Sequence, residues 1–207
     1  MRGKSAGRDC RGAVHRRHRR SRRGHPAAQN TSHAGRAPGS AGLRRNAAIR
    51  PRQLGPGAIV SHGGIDYVVR GSVTFREGPF VWWEHLLEGG DTPTWLSVQE
   101  DDGRLELAMW VKRTDLGLQP GGQHVIDGVT FQETERGHAG YTTEGTTGLP
   151  AGGEMDYVDC ASAGQGADES MLLSFERWAP DMGWEIATGK SVLAGELTVY
   201  PAPPVSA

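Results

Sequence analysis

Beyond residue 53 the apolar residues fall in short runs broken at close intervals by Gly, Pro and Asp, and no window of 11 or more residues sustains a helical period. That rhythm predicts an all-β fold. Candidate strands are 58–61, 65–75, 80–87, 94–99, 104–111, 129–135, 155–160, 171–177, 183–187 and 196–200. Turn chemistry fills the gaps: Glu77-Gly78-Pro79, Glu88-Gly89-Gly90-Asp91, Asp101-Asp102-Gly103, Pro120-Gly121-Gly122, Asp127-Gly128 and Ala179-Pro180-Asp181-Met182-Gly183. The clearest hairpin joins 94–99 to 104–111, with Leu105, Leu107 and Met109 on one face and Glu106, Ala108 and Trp110 on the other.

The chain also resembles itself. Leu54-Gly55-Pro56-Gly57 and Leu118-Gln119-Pro120-Gly121 share one pattern, and Gly64-Ile65-Asp66-Tyr67 parallels Gly128-Val129-Thr130-Phe131 at the same offset of 64 residues. Further on, Leu96-Ser97-Val98 parallels Leu173-Ser174-Phe175, and Leu105-Glu106-Leu107-Ala108 parallels Trp184-Glu185-Ile186-Ala187, at offsets of 77 and 79. The growing offset places insertions in the second copy, the Gly/Thr-rich stretch 141–153 being the obvious one. The expected fold class is therefore all-β: two related antiparallel β-units, 54–116 and 118–200, produced by tandem duplication and packed as one body. A unit of about 65 residues is marginal alone, so the two are expected to share an interior. Candidate core residues are Val68, Val81, Trp83, Leu86, Leu96, Val98, Leu107, Phe131, Leu173, Phe175, Trp184, Ile186 and Leu197.

Charge divides the 207 residues differently from what the net charge of −1 suggests. Residues 1–53 carry 15 Lys+Arg against the single acid Asp9, and the rest carries 8 against 23. The first segment contains no Trp, Tyr or Phe and has too little apolar surface to offset the entropy of ordering, so it is expected to be a disordered basic segment. It reads either as an arm for nucleic acid or as upstream sequence read from too early a start, since 33 of its 53 residues are Gly, Ala, Arg or Pro, the residues of GC-rich codons. Residues 201–207 form a Pro-rich tail. Composition excludes a transmembrane helix, a collagen-like chain and a disulfide scaffold.

No motif in the acidic part carries recognised chemistry. Cys160 is its one cysteine, with His62, His85, His124 and His138 scattered, and no C-x-x-C or close His pair suggests a metal. Absence of a disulfide framework suits a cytoplasmic location. Acids are abundant, most of them expected on solvated strand faces. The minority of interest lies beside tryptophan: Trp83-Glu84 and Trp184-Glu185 place an indole and a carboxylate on opposite faces of one strand, while Trp82 shares a face with Glu84, and Trp110 with Glu106. Indole faces beside carboxylates make a cage for an organic cation, at about 0.5–2 kcal/mol per ring.

The runs Ile65-Asp66-Tyr67-Val68-Val69-Arg70-Gly71, Trp83-Glu84-His85-Leu86-Leu87, Trp95-Leu96-Ser97-Val98, Leu173-Ser174-Phe175-Glu176-Arg177-Trp178 and Gly183-Trp184-Glu185 resemble an uncharacterised bacterial family, domain of unknown function 4178, over about residues 54–200. The resemblance implies a small bacterial domain without assigned catalytic residues, encoded near polyamine-synthesis and membrane-stress genes. Gln99 stands before Glu100, where the family pattern places the acid directly after Leu-Ser-Val. The expected function is noncatalytic binding of a basic protein or a small cation such as a polyamine, with Trp83, Glu84, Trp95, Glu176, Trp184 and Glu185 as binding residues and no cofactor or metal. The alternatives are nucleic-acid binding through residues 1–53, and a carboxylate-dependent hydrolase working in a cleft between the units.

Overall fold

The computed structural model describes residues 54–101, 103–162 and 170–202; the basic segment 1–53, the acids Asp168 and Glu169, and positions 203–207 of the tail lie outside the described residues. Eleven strands form: β1 (Ile59–His62), β2 (Ile65–Glu77), β3 (Phe80–Glu88), β4 (Thr94–Asp101), β5 (Arg104–Lys112), β6 (Gln123–Ile126), β7 (Val129–Gly145), β8 (Gly152–Ser162), β9 (Met171–Arg177), β10 (Glu185–Ser191) and β11 (Thr198–Tyr200). Among the described residues the only helical element is a 3-10 turn at Ala194–Glu196, and no helix is long and apolar enough to cross a membrane.

Every pairing is antiparallel. The order β2-β3-β4-β5-β10-β9-β8-β7 closes into an eight-stranded barrel because the second half of β2 also pairs with β7, Gly71 opposite Gly145 through Arg76 opposite Gly140. The first halves of these two long strands leave the barrel and carry extra strands, β1 beside β2 with β11 beyond it, and β6 beside β7. Closure removes the edges that a sheet of this length would otherwise expose.

Two β-bulges produce the division of labour within β2 and β7. The register of β2 against β3 shifts between Val69 and Gly71, and that of β7 against β8 between Glu133 and Glu135. An extra residue reverses which face later side chains point to. Tyr67 and Val69 thus enter one core with Leu87, Leu96, Val98, Leu107 and Leu197, whereas Val73 and Phe75, past the bulge, join a different core with Ala139, Tyr141 and Met155. Likewise Phe131 packs with Val158, Cys160, Leu173, Phe175 and Ile186 in a third cluster, while Ala139 and Tyr141 turn inward. The barrel wall is therefore covered on both faces in each half, with an outer core per half and a shared inner space.

Sequence reading and structure differ in four places. β6 lies outside the expected strands, and 141–153 is not all loop: 141–145 finishes β7 against β2, 146–151 connects β7 to β8, and 152–153 begins β8. The expected strand 196–200 shortens to β11 because the 3-10 turn takes Glu196. Val68 is 40% exposed, since its neighbours Tyr67 and Val69 face the core.

One outer core holds a titratable group. His85 is fully buried on β3, its Nδ1 2.8 Å from Ser72 Oγ, and its Nε2 has no partner among the described residues. Burial penalises the imidazolium and lowers its pKa from 6.5 to about 4. Below pH 6.5 the unfolded chain takes up a proton that the folded chain refuses, so this residue's stabilisation is lost between pH 6.5 and 4, on the order of 3 kcal/mol. The melting temperature should fall more steeply over that window in the wild type than in Ser72→Ala/His85→Leu; equal slopes would show that His85 is not the sensor.

Candidate functional site

Alternation along the barrel strands decides what faces inward. On β3, Phe80, Trp82 and Glu84 point into the barrel; on β4, Trp95, Ser97 and Gln99; on β5, Trp110 and Lys112; on β8, Tyr157 and Asp159; on β9, Ser174 and Glu176; on β10, Glu185 and Ala187. These side chains surround a cavity of about 300 Å³, at the lower end of the range of small-molecule sites, roughly 300–1,000 Å³. Thr147, Gly148 and Leu149 from the β7–β8 connection, and Trp178 just after β9, complete its wall.

The aromatic side chains are held by one another and by glycines. Trp82 stacks on Phe75 at 5.1 Å between ring centroids, Tyr157 meets Trp82 edge-on at 5.7 Å, and Trp178 meets Tyr141 edge-on at 5.2 Å. Trp110 lies across the β5–β10 seam on Gly189, where a Cβ would come within 2.4 Å of the indole, and Tyr157 lies on Gly137 with a corresponding approach of 2.5 Å. A larger residue at either glycine would displace the ring that borders the cavity. Polar tips are tethered as well: Trp110 Nε1–H donates to Ser97 Oγ at 2.9 Å, Trp178 Nε1–H to Glu185 Oε2 at 3.1 Å, and the Tyr157 hydroxyl to Glu77 Oε2 at 2.6 Å.

Six acids border this space, Glu77, Glu84, Glu135, Asp159, Glu176 and Glu185, against the single base Lys112. Lys112 Nζ is 2.6 Å from Glu185 Oε1 at the partly exposed rim, and among the described residues no cation is paired with Glu84 or Glu176. Asp159 accepts a hydrogen bond from the Ser174 hydroxyl. Glu84 is partly buried; desolvation in the cavity, with repulsion from Asp159, raises its pKa from 4.5 to about 8. Burial, with repulsion from Glu135, raises Asp159 to about 6. Burial and the charges of Glu84, Asp159 and Glu185 hold Glu176 well above the usual carboxylate range, with Lys112 opposing. Among the described residues no group of three or more His, Cys, Asp or Glu is placed to share a metal ion. The acids line a volume; they do not converge on a point.

Of the residues singled out from sequence, Glu84, Trp95, Glu176 and Glu185 meet in the cavity, whereas Trp83 and Trp184 do not. Trp83 packs against the outer core of the first half, and Trp184 against that of the second, where the Arg177 guanidinium lies 4.9 Å over its ring. The cation at Trp184 is thus the protein's own arginine. Trp82, Trp110, Trp178, Tyr157 and Asp159 were not chosen. Parity finds two of them, since Trp82 alternates with Glu84 and Trp178 with Glu176; Trp110, Tyr157 and Asp159 lie on strands without a selected residue and are brought in only by barrel closure. Cys160 lies on the outward face of β8 and is buried, with its thiol pushed up to about 12, a position unsuited to a nucleophile.

An antiparallel eight-stranded barrel with an acidic, tryptophan-walled interior defines the class of protein. Residues 55–194 match the family described as Domain of unknown function (DUF4178), and the chain belongs to that family. No solved structure matches it.

Proposed function

We propose that the barrel interior binds a small organic cation and that the protein works by binding, without catalysis. The observation that carries this reading is the pairing of partly buried carboxylates from β3, β8 and β9 with indole walls from β3, β4 and β5, in a space of about 300 Å³. An ammonium group would compensate charges that otherwise repel, and its carbon chain would lie on the rings. Enclosure favours a free cation, or one cationic side chain, over the broad surface of a basic protein. A polyamine fits the charge and the elongated apolar stem. Calorimetric titration with spermidine at moderate salt tests the reading; no heat and no thermal shift would overturn it.

Lys112 acts in this reading as a resident competitor at the rim. Lys112→Met frees Glu185 and removes a repelling charge, so spermidine affinity should rise about tenfold, the equivalent of one exposed to half-buried ion pair. Unchanged or weaker binding would place the cation away from Glu185.

The two-unit reading belongs to the same proposal. β1 and β6 begin 64 residues apart, as do β2 and β7, and the two bulges repeat at that interval. Tandem duplication of a bacterial, cytoplasmic ancestor accounts for this arrangement. Carboxylate-dependent hydrolysis is the second reading, favoured by one observation: Glu84 and Asp159 face the same cavity from β3 and β8, and their raised, unequal proton affinities agree with a general acid and its partner. Turnover of small chromogenic glycosides, lost in Glu84→Gln, would select it over binding.

A further inference from the structure

We infer that the barrel is a proton–cation exchanger: when empty, Glu84, Asp159 and Glu176 hold at least one proton among them, and an entering ammonium group displaces it to solvent. The inference rests on the reading of the interior as a cation site and adds a regulation of it.

Geometry carries the argument. The charged and titratable groups facing the space are Glu77 from β2, Glu84 from β3, Lys112 from β5, Glu135 from β7, Tyr157 and Asp159 from β8, Glu176 from β9 and Glu185 from β10; β4 adds only the uncharged Ser97 and Gln99 beside Trp95. Lys112 is engaged by Glu185, and Tyr157 gives its hydroxyl proton to a bond with Glu77. Glu84 and Glu176 have neither a hydrogen bond nor an ion pair within the described residues. Six acids that face one cavity against a single lysine repel one another, and full ionisation of Glu84, Asp159 and Glu176 costs least when a cation enters. The raised proton affinities of Glu84, near 8, and of Asp159, near 6, agree with that account. The step balances without redox chemistry: one carboxyl O–H bond breaks, its electron pair stays on the oxygen, the proton passes to water, and the entering cation forms an ion pair with the new carboxylate.

Exchange of one proton makes apparent affinity rise about tenfold per pH unit from roughly pH 6 to 8, where Glu84 titrates, and level off above. The full chain is titrated calorimetrically with spermidine and with tetramethylammonium, which has no proton to lose, at pH 7 in phosphate and in Tris. Heats that differ between buffers by the ionisation heat of about one proton are expected with both probes, and the difference should shrink in Glu84→Gln. Binding with equal heats in both buffers would overturn exchange while the cation site stands. No binding of either probe from pH 6 to 9 would remove the cation site and exchange with it. A readout free of ligand is the carboxyl carbon resonance of 13C-labelled glutamate in the empty protein: a midpoint above pH 7 is expected, and midpoints all below 5.5 would overturn exchange.

Discussion

Replacing Glu84 and Glu176 together by glutamine should abolish spermidine binding and at the same time make the empty protein more stable at pH 8. The two effects have one origin. Each carboxylate bonded to an ammonium contributes about 1.5–3 kcal/mol, so loss of both weakens binding on the order of a hundredfold or more. Without a ligand the same charges are a burden. The pKa of Glu84 rises from 4.5 in the unfolded chain to about 8 in the folded one. Between those values the folded protein keeps a proton that the unfolded chain has lost, so stability falls as pH rises through that window. Glutamine removes the titration. Discounting for coupling among the acids, the gain at pH 8 is about 2 kcal/mol, or roughly 4–8 °C in melting temperature for a chain of this size. Thermal melts at pH 5.5 and 8.5 check it: the wild type should lose stability at the higher pH relative to the double variant. Parallel curves would mean that these acids are ordinary solvated carboxylates.

Gly71→Ala is expected to give the largest loss of stability among single methyl additions. Gly71 sits at the β2 bulge, where the barrel closes on β7, and a Cβ there would lie 2.4 Å from the backbone oxygen of Thr146 and 2.6 Å from its carbonyl carbon. That backbone cannot yield easily, because Thr146 N–H donates to Arg70 O at 2.9 Å and Gly145, with φ of +72°, turns the chain against Pro56. Overpacking against backbone costs about 3 kcal/mol, a drop of roughly 6–12 °C. Gly117 has open space around its Cβ position, and Gly117→Ala should be neutral or slightly stabilising. Equal melting temperatures for the two variants would show that the seam is looser than its contacts imply.

How far the sequence foretold this molecule follows from what alternation encodes. The hairpin 94–99 with 104–111 was legible because Leu96, Val98, Leu105 and Leu107 enter an outer core while Ser97 and Ala108 face inward, a simple two-face code. The start of β7 was legible for the same reason, but its continuation was not: Gly137, Gly140 and Gly145 read as loop, and only the sheet shows that Gly137 leaves room for the Tyr157 ring. Acids at the cavity were partly legible. Glu84, Glu176 and Glu185 stood out beside tryptophan, yet Trp83 was preferred to Trp82, and alternation alone could not choose, because this wall is covered on both sides. Asp159 carries no local signal; its partner Glu84 is 75 residues away in the chain, and only barrel closure brings them together.

The indole N–H resonances provide the most direct test of the central claim. Of the six tryptophans, Trp82, Trp95, Trp110 and Trp178 border the barrel interior, while Trp83 and Trp184 pack in the outer cores. In a 15N-labelled sample titrated with spermidine at pH 8, the first four are expected to shift and the last two to stay in place. Shifts confined to Trp83 and Trp184, or no shift at any indole, would contradict a cation site inside the barrel.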